Sequence, residues 1–414
     1  MSDVRPFRGL RPRPEFAEKI ASPPYDVLNS EEAREMAKNN PLSFLHVVKP
    51  EIDLPPGTDL YSDEVYQKGA ENLKKLIAEG YMLQDPEPHY YLYRQIMGDH
   101  SQVGIVAGAS VEEYDKDLIK KHELTRKAKE DDRTRHVDTI GANTGPVFLT
   151  YKHTDKLDEI LERLTSGKPT VDFTSSDGVR HTLWVVDKPN DIESIRAGFA
   201  EIDVLYVADG HHRSASASRV QKIRKGKNPN HTGDEEYNFF LTVIFPDNQM
   251  MIMDYNRVVK DLNGRTQEEF INEIIDKFDI EPFGITQYKP KRLHEFGMYL
   301  GGNWYKLTAK PGSFDQGDPV GSLDVAVLQN NLLSPILGIG DPRTDERIDF
   351  IGGIRGLSEL EKRVNSGDWA AAFAMFPTTI SQLMAIADAG KTMPPKSTWF
   401  EPKLRSGMVI HLLD

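Results

Sequence analysis

The densest run of chemistry-bearing residues is Asp209-Gly210-His211-His212-Arg213. A guanidinium can grip a phosphate with two parallel hydrogen bonds. An imidazole can hold or move a proton near neutral pH. Asp209 can orient a histidine, bind a metal or take a proton. Two adjacent imidazoles and a guanidinium repel in their charged forms unless Asp209 or a bound anion balances them. Gly210 lets the backbone come close to a ligand. Together these residue types point to an anion, in particular a phosphate, held beside groups that can move protons.

The flanks show which elements must position this cluster. Val204-Leu205-Tyr206-Val207-Ala208 is an apolar, β-branched run and reads as a buried strand. Ser214-Ala215-Ser216-Ala217-Ser218-Arg219-Val220 has small residues with helical character and ends near Lys225-Gly226. Strand, glycine corner and helix start are the parts of an anion site, because the first amides of a helix lack backbone partners.

Two further stretches carry chemistry. Lys120 to His136 is densely charged with both signs. It reads either as a solvated helix laced with ion pairs or as a cationic clamp with one or two carboxylates. Met393-Pro394-Pro395-Lys396-Ser397-Thr398 fixes the backbone just before a lysine and two hydroxyls. That suits phosphate or metal-phosphate contacts, and an ordinary loop would look the same. Ile351 to Gly356 is glycine-rich without the spacing of a dinucleotide fingerprint. The chain has no cysteine, which excludes disulfides and thiolate metal sites. No metal site made of protein ligands alone is expected.

Periodicity and turn signals predict a mixed α/β chain. Asn29 or Ser30 should cap a helix through about Asn39, and Leu42 to Val48 reads as a strand. Tyr61 to Glu79 is an amphipathic helix. Tyr90 to Met97 and Gln102 to Val111 should form an antiparallel pair. Tyr237 to Phe245 and Met250 to Asp254 suggest another hairpin, and Thr266 to Phe283 reads as helical. Leu323 to Leu333 and Thr378 to Ala389 are expected as helices, with a buried strand at Ala371 to Phe376.

The chain of 414 residues suits one large or two to three ordinary domains. Soft boundaries divide it into an α/β region at 1–150 with the charged segment, a core at 151–260 with the Asp209 turn, and an α/β region at 261–414 with the paired-proline loop. The net charge of −13 argues against a general nucleic-acid or anionic-membrane surface. No run is long enough to cross a bilayer, and Met1 to Pro6 has no apolar signal region. A cytoplasmic protein is expected.

Ala208-Asp209-Gly210-His211-His212-Arg213 resembles the signature of the ParB/sulfiredoxin-like superfamily. Its members set a Gly-x-x-Arg turn between strand and helix against nucleotide phosphates. The version here looks closest to the free-serine kinases. Sulfiredoxin carries a cysteine in this turn, and that thiol chemistry is excluded here. Ala21 to Leu28 with Ser43 to Glu51, Lys120 to Phe148, Asp341 to Gly356 and Ala385 to Gly407 extend the resemblance. They match a family of uncharacterised bacterial proteins related to those kinases.

The resemblance implies a ParB/sulfiredoxin-like core with large additional α/β segments. It implies a small-molecule kinase that moves a phosphoryl group from ATP or ADP, with Mg²⁺, to a small hydroxyl compound, free L-serine first. Gly210, Arg213 and Ser214 would hold the donor phosphates, with Arg126, Arg133, Lys396, Ser397 and Thr398 adding contacts. Glu123 is the expected general base, with Asp26 and Asp209 as competitors and His211 and His212 beside it. Tyr25, Asp26 and His46 would face the acceptor. Nucleotide and small molecule are the expected partners. Two other readings are a nucleotide-binding switch without an acceptor and a DNA-associated ParB-like module, the latter disfavoured by the net charge.

Overall fold

The computed structural model describes residues 2–414. The chain divides into two compact units, Met1–Met250 with Pro402–Asp414, and Met251–Glu401. This division differs from the three regions expected at 1–150, 151–260 and 261–414. The last thirteen residues return to the first unit, which no local composition signal announces.

In the first unit a nine-stranded mixed sheet runs in the order Ile119–Lys120, Leu205–Asp209, Val147–Tyr151, Phe239–Pro246, His100–Ser110, Tyr90–Met97, Arg180–Val186 and Val171–Thr174, with Val4–Arg5 added beside His100–Ser110. The motif strand Leu205–Asp209 lies parallel to Ile119–Lys120 and antiparallel to Val147–Tyr151. Alternating apolar residues of the central strands bury Leu92, Ile105, Leu149 and Val207 against Leu157, Ile195 and Phe199 of the covering helices Asp155–Thr165 and Pro189–Phe199. Each such side chain contributes about 1.5–3 kcal/mol relative to exposure. A second core joins Ile20, Phe44, Leu45, Val47, Leu73 and Leu76 to Ile410 of the returning segment. The first core anchors the motif strand through Leu205 and Val207, so its C-terminal end lies beside the N-terminal end of the antiparallel Val147–Tyr151.

The second unit is a six-stranded sheet in the order Phe278–Gly284, Asn303–Ala309, Glu295–Leu300, Ala371–Ala374, Tyr255–Val259 and Ile348–Gly352. Its core includes Val258, Trp304, Ile351, Leu360 and Ala372.

Several helices begin where their caps foretell. Asn29 closes a capping box with Glu32 at the start of Ser30–Ala37. Thr379 does the same with Gln382 ahead of Ile380–Asp388. Three expectations are corrected. Leu42 to Val48 is no strand, for Leu45–Val48 is a short helix. Its Phe44, Leu45 and Val47 are fully buried, so packing overrides β-branched propensity. Tyr237 to Asp254 is no hairpin. Phe239–Pro246 pairs within the first sheet, while Met251–Met253 pairs with Trp399–Glu401 in the second unit. The chain crosses between units at the supposed turn. The helix expected from Thr266 to Phe283 stops at Ile274, and Phe278–Gly284 is an edge strand.

Candidate functional site

The site grows from the end of the motif strand. Gly210 has φ 100°, a left-handed conformation that an L side chain rarely adopts. A Cβ there would also lie 3.4 Å from Val147 Cα and 3.2 Å from Arg213 Nε. The turn opens the helix His211–Lys227. Its first internal bond runs from the Ser214 amide to the Gly210 carbonyl at 3.0 Å, so the amides of His211, His212 and Arg213 precede the helical ladder. The Ser214 hydroxyl donates back to the same Gly210 carbonyl at 3.3 Å and is fully buried. That hydroxyl serves the helix, beside the Ser214 amide that makes its first internal bond.

Asp209 meets Lys403 Nζ at 2.9 Å. Burial alone would raise its pKa, yet Lys403, Arg213 and His211 hold its carboxyl far below the usual carboxylate range. Arg213 donates to the Pro146 carbonyl, and its guanidinium stands 3.7 Å from the Asp26 carboxylate. Arg213 Nε has no hydrogen-bond partner. Arg133 lies 4.0 Å above the Tyr25 ring and is paired with Asp132 at 2.8 Å. Burial, then the Asp26 charge, pushes the Tyr25 phenol up to about 12, so it stays protonated. Tyr25, Arg133 and Arg213 line a small cavity of about 30 Å³ together with Asn143, Thr144 and Ser406.

The segment 121–126 runs over the helix start. His212 Nε2 accepts the Arg126 amide at 3.0 Å, which leaves the proton on Nδ1. Burial lowers the His212 pKa. His211 is buried, and its ring meets that of His122 edge-on with centroids 4.4 Å apart. Burial drives both below the ordinary histidine range, His122 to about 4. Both are neutral at pH 7. Glu123 lies 3.9 Å from His211 Nδ1 with its side chain 48% exposed.

The structure thus gathers Tyr25, Asp26, Glu123, Arg126, Arg133 and Asp209 to Arg213 in one unit. His46 is held instead by Asp53 at 2.7 Å and the Asn40 carbonyl at 3.2 Å, a local network that accounts for both ring nitrogens. Lys396, Ser397 and Thr398 lie in the second unit. There Ser397 donates to the Pro394 carbonyl at 2.6 Å, and Arg257 donates to the Lys396 carbonyl at 2.9 Å. Sequence reasoning missed His122, Asn143, Thr144, Lys403 and Ser406. His122 is adjacent to Glu123, the one signal that could have drawn attention to it. Lys403 joins Asp209 across 194 positions, which no spacing rule reveals.

A strand, a left-handed glycine and a helix start ringed by cations and neutral imidazoles define a mixed α/β protein with a turn suited to anions. The chain belongs to the family described as "protein of unknown function (DUF1015)", whose profile matches residues 4–326. Among solved structures it is similar to free serine kinase in complex with AMP, at 13% identity and TM-score 0.35, covering 71% of this chain and 86% of that one. It is also similar to a conserved hypothetical protein from Pyrococcus furiosus, at 12% identity and TM-score 0.33, covering 71% and 90%. A third is SbnI with C-terminal truncation from Staphylococcus aureus, at 11% identity and TM-score 0.38, covering 73% and 85%. No curated protein matches the chain. Among the described residues no helix is long and apolar enough to cross a membrane.

Proposed function

We propose that the protein is a nucleotide-dependent phosphotransferase acting on a small hydroxyl compound. The observation that carries this reading is the left-handed Gly210 turn opening the helix His211–Lys227 with Arg213 in its first turn, 3.7 Å from Asp26, and the half-exposed Glu123 carboxylate 3.9 Å from His211. Phosphoryl transfer needs charge neutralisation, alignment and a proton acceptor. The amides at the helix start and the Arg213 guanidinium hold phosphate oxygens of ATP or ADP. Arg133 and Arg126 add positive charge.

Glu123 is the base. Asp209 is a poor one, because Lys403 and Arg213 make its carboxylate weakly basic. Asp26 faces Arg213 at 3.7 Å. The acceptor hydroxyl gives its proton to Glu123 while its oxygen bonds to the terminal phosphorus. The bond from that phosphorus to the nucleotide oxygen breaks, and the leaving phosphate keeps the electron pair. The side chain of Asp26, 40% exposed, offers an oxygen donor of the kind Mg²⁺ takes beside phosphates. Bound Mg²⁺ would neutralise phosphate charge. The resemblance of Ala208 to Arg213 to the free-serine kinases makes L-serine the first acceptor to try.

The test is nucleotide turnover by the full chain, measured with and without a panel of small hydroxyl compounds. Acceptor-dependent nucleotide consumption with a phosphorylated product supports the reading. Nucleotide binding without any acceptor-dependent turnover replaces it with a nucleotide-binding switch.

A further inference from the structure

His122 is 2% exposed, and neither of its ring nitrogens has a hydrogen-bond partner. His211 is 5% exposed, and its Nε2 is likewise unpartnered. A buried polar atom without a partner carries an uncompensated desolvation cost. Here three such atoms cluster on two rings packed edge to edge. One nitrogen from each ring and one Glu123 oxygen all lie within 4.8 Å of one another.

We propose that His122, Glu123 and His211 form a binding site for a divalent first-row transition-metal ion, such as Zn²⁺. Two imidazoles and a carboxylate are a donor set for Zn²⁺, Mn²⁺, Fe²⁺ or Co²⁺, whereas Mg²⁺ and Ca²⁺ prefer oxygen alone. Three protein ligands leave a position open. Bonds of about 2.0–2.2 Å place donors roughly 3–3.5 Å apart, so small rotations of the side chains close the site.

The charges packed around the site bear on a cation in both directions. The helix start, Arg213 and Lys403 oppose it. Glu123, Asp209 and Asp26 favour it, and an anion at the helix start would add to them. A carboxylate held by an ion cannot also accept a proton. The metal-loaded and metal-free chains are therefore distinct states of the proposed phosphotransferase. That consequence rests on the functional reading above, and the metal binding does not.

The test is a Zn²⁺ titration of the chelator-stripped full chain without nucleotide or acceptor, in competition with a chromogenic zinc indicator. One ion per chain is expected. Affinity should fall about 100-fold or more in His122→Ala and in His211→Ala, and stay within about twofold in His153→Gln, whose half-exposed ring pairs with Asp247. Circular dichroism and melting curves establish whether the variants fold. X-ray absorption of the Zn²⁺-loaded wild-type chain counts imidazole ligands without any substitution, and two are expected. Binding below one equivalent, binding undiminished in both folded histidine variants, or fewer than two imidazoles on the ion would overturn the proposal. Because no nucleotide is present, these outcomes are separate from those of the turnover assay.

Discussion

In the proposed phosphotransferase Glu123 and Arg213 do different work, so their variants should fail differently. Glu123→Gln keeps size and most hydrogen bonding but loses the basic carboxylate. Nucleotide and acceptor affinities should stay near wild type while turnover falls about 10²–10⁴-fold, the usual share of general acid–base catalysis. Full turnover in this variant would move the search to Asp26 or Asp209. Arg213→Ala removes a charge-assisted fork worth about 1.5–3 kcal/mol, so nucleotide affinity should drop about 10–100-fold by calorimetry. Unchanged affinity at an unchanged melting temperature would take Arg213 out of the phosphate site. The cluster from Asp209 to Arg213 was legible because its five members are contiguous and sit between two readable elements. Lys403, Ser406 and Asn143 were not, since only the fold brings them there. His122 hid within a charged run whose composition suits a solvated helix.

At the scale of elements, the Gly210 turn and the returning C-terminal segment are the parts on which the site depends. Gly210→Ala forces a side chain into a left-handed residue at φ 100° and brings Cβ to 3.4 Å from Val147 Cα. The expected loss is about 1–2 kcal/mol, read as a lower denaturant midpoint. A midpoint equal to wild type would show that the turn relaxes freely. The segment Pro402–Asp414 buries Leu404, Met408, Val409, Ile410 and Leu413 to 4% exposure or less. At about 1.5–3 kcal/mol each, these side chains together rival the whole stability of an ordinary domain. A chain ending at Glu401 should therefore be recovered aggregated or without cooperative unfolding. A soluble chain with a sharp melt would contradict this. The starts of helices were well marked where a cap was present, as at Asn29 and Thr379. Elements were misjudged where a short apolar run carried no cap, as at Leu45–Val48. There the burial that decides between helix and strand comes from distant residues such as Leu73 and Leu76.

At the scale of the molecule, the two units should answer acid in opposite senses. His122, His136, His181 and His211, all in the first unit, are buried, and burial lowers their pKa values, to about 4 for His122 and about 3 for His136 and His181. In the unfolded chain each titrates near pH 6.5, with a value of about 1.4 kcal/mol per pH unit per proton. The unfolded first unit therefore binds more protons between about pH 6.5 and 4. Its stability is complete above that window and declines as pH falls through it. His46 runs the other way, raised chiefly by its bond to Asp53, but it stands against these four and the likewise lowered His212. The second unit holds Asp324, which is 5% exposed with one carboxyl oxygen unpartnered, and burial pushes its pKa up to about 7. Folded, this group keeps a proton that the unfolded chain has lost above about pH 4. Its contribution is complete below that value and is lost as pH rises toward 7. Hydrogen exchange followed by mass spectrometry, corrected for intrinsic rates, at pH 7 and pH 5 separates the two. Protection of the sheet from Tyr90 to Phe245 should weaken at pH 5, while protection around Glu295–Leu300 and Ala371–Ala374 should hold or strengthen. In Asp324→Asn, whose amide is neutral at both values, that second response should vanish. Parallel weakening of both units at pH 5 would reject the argument.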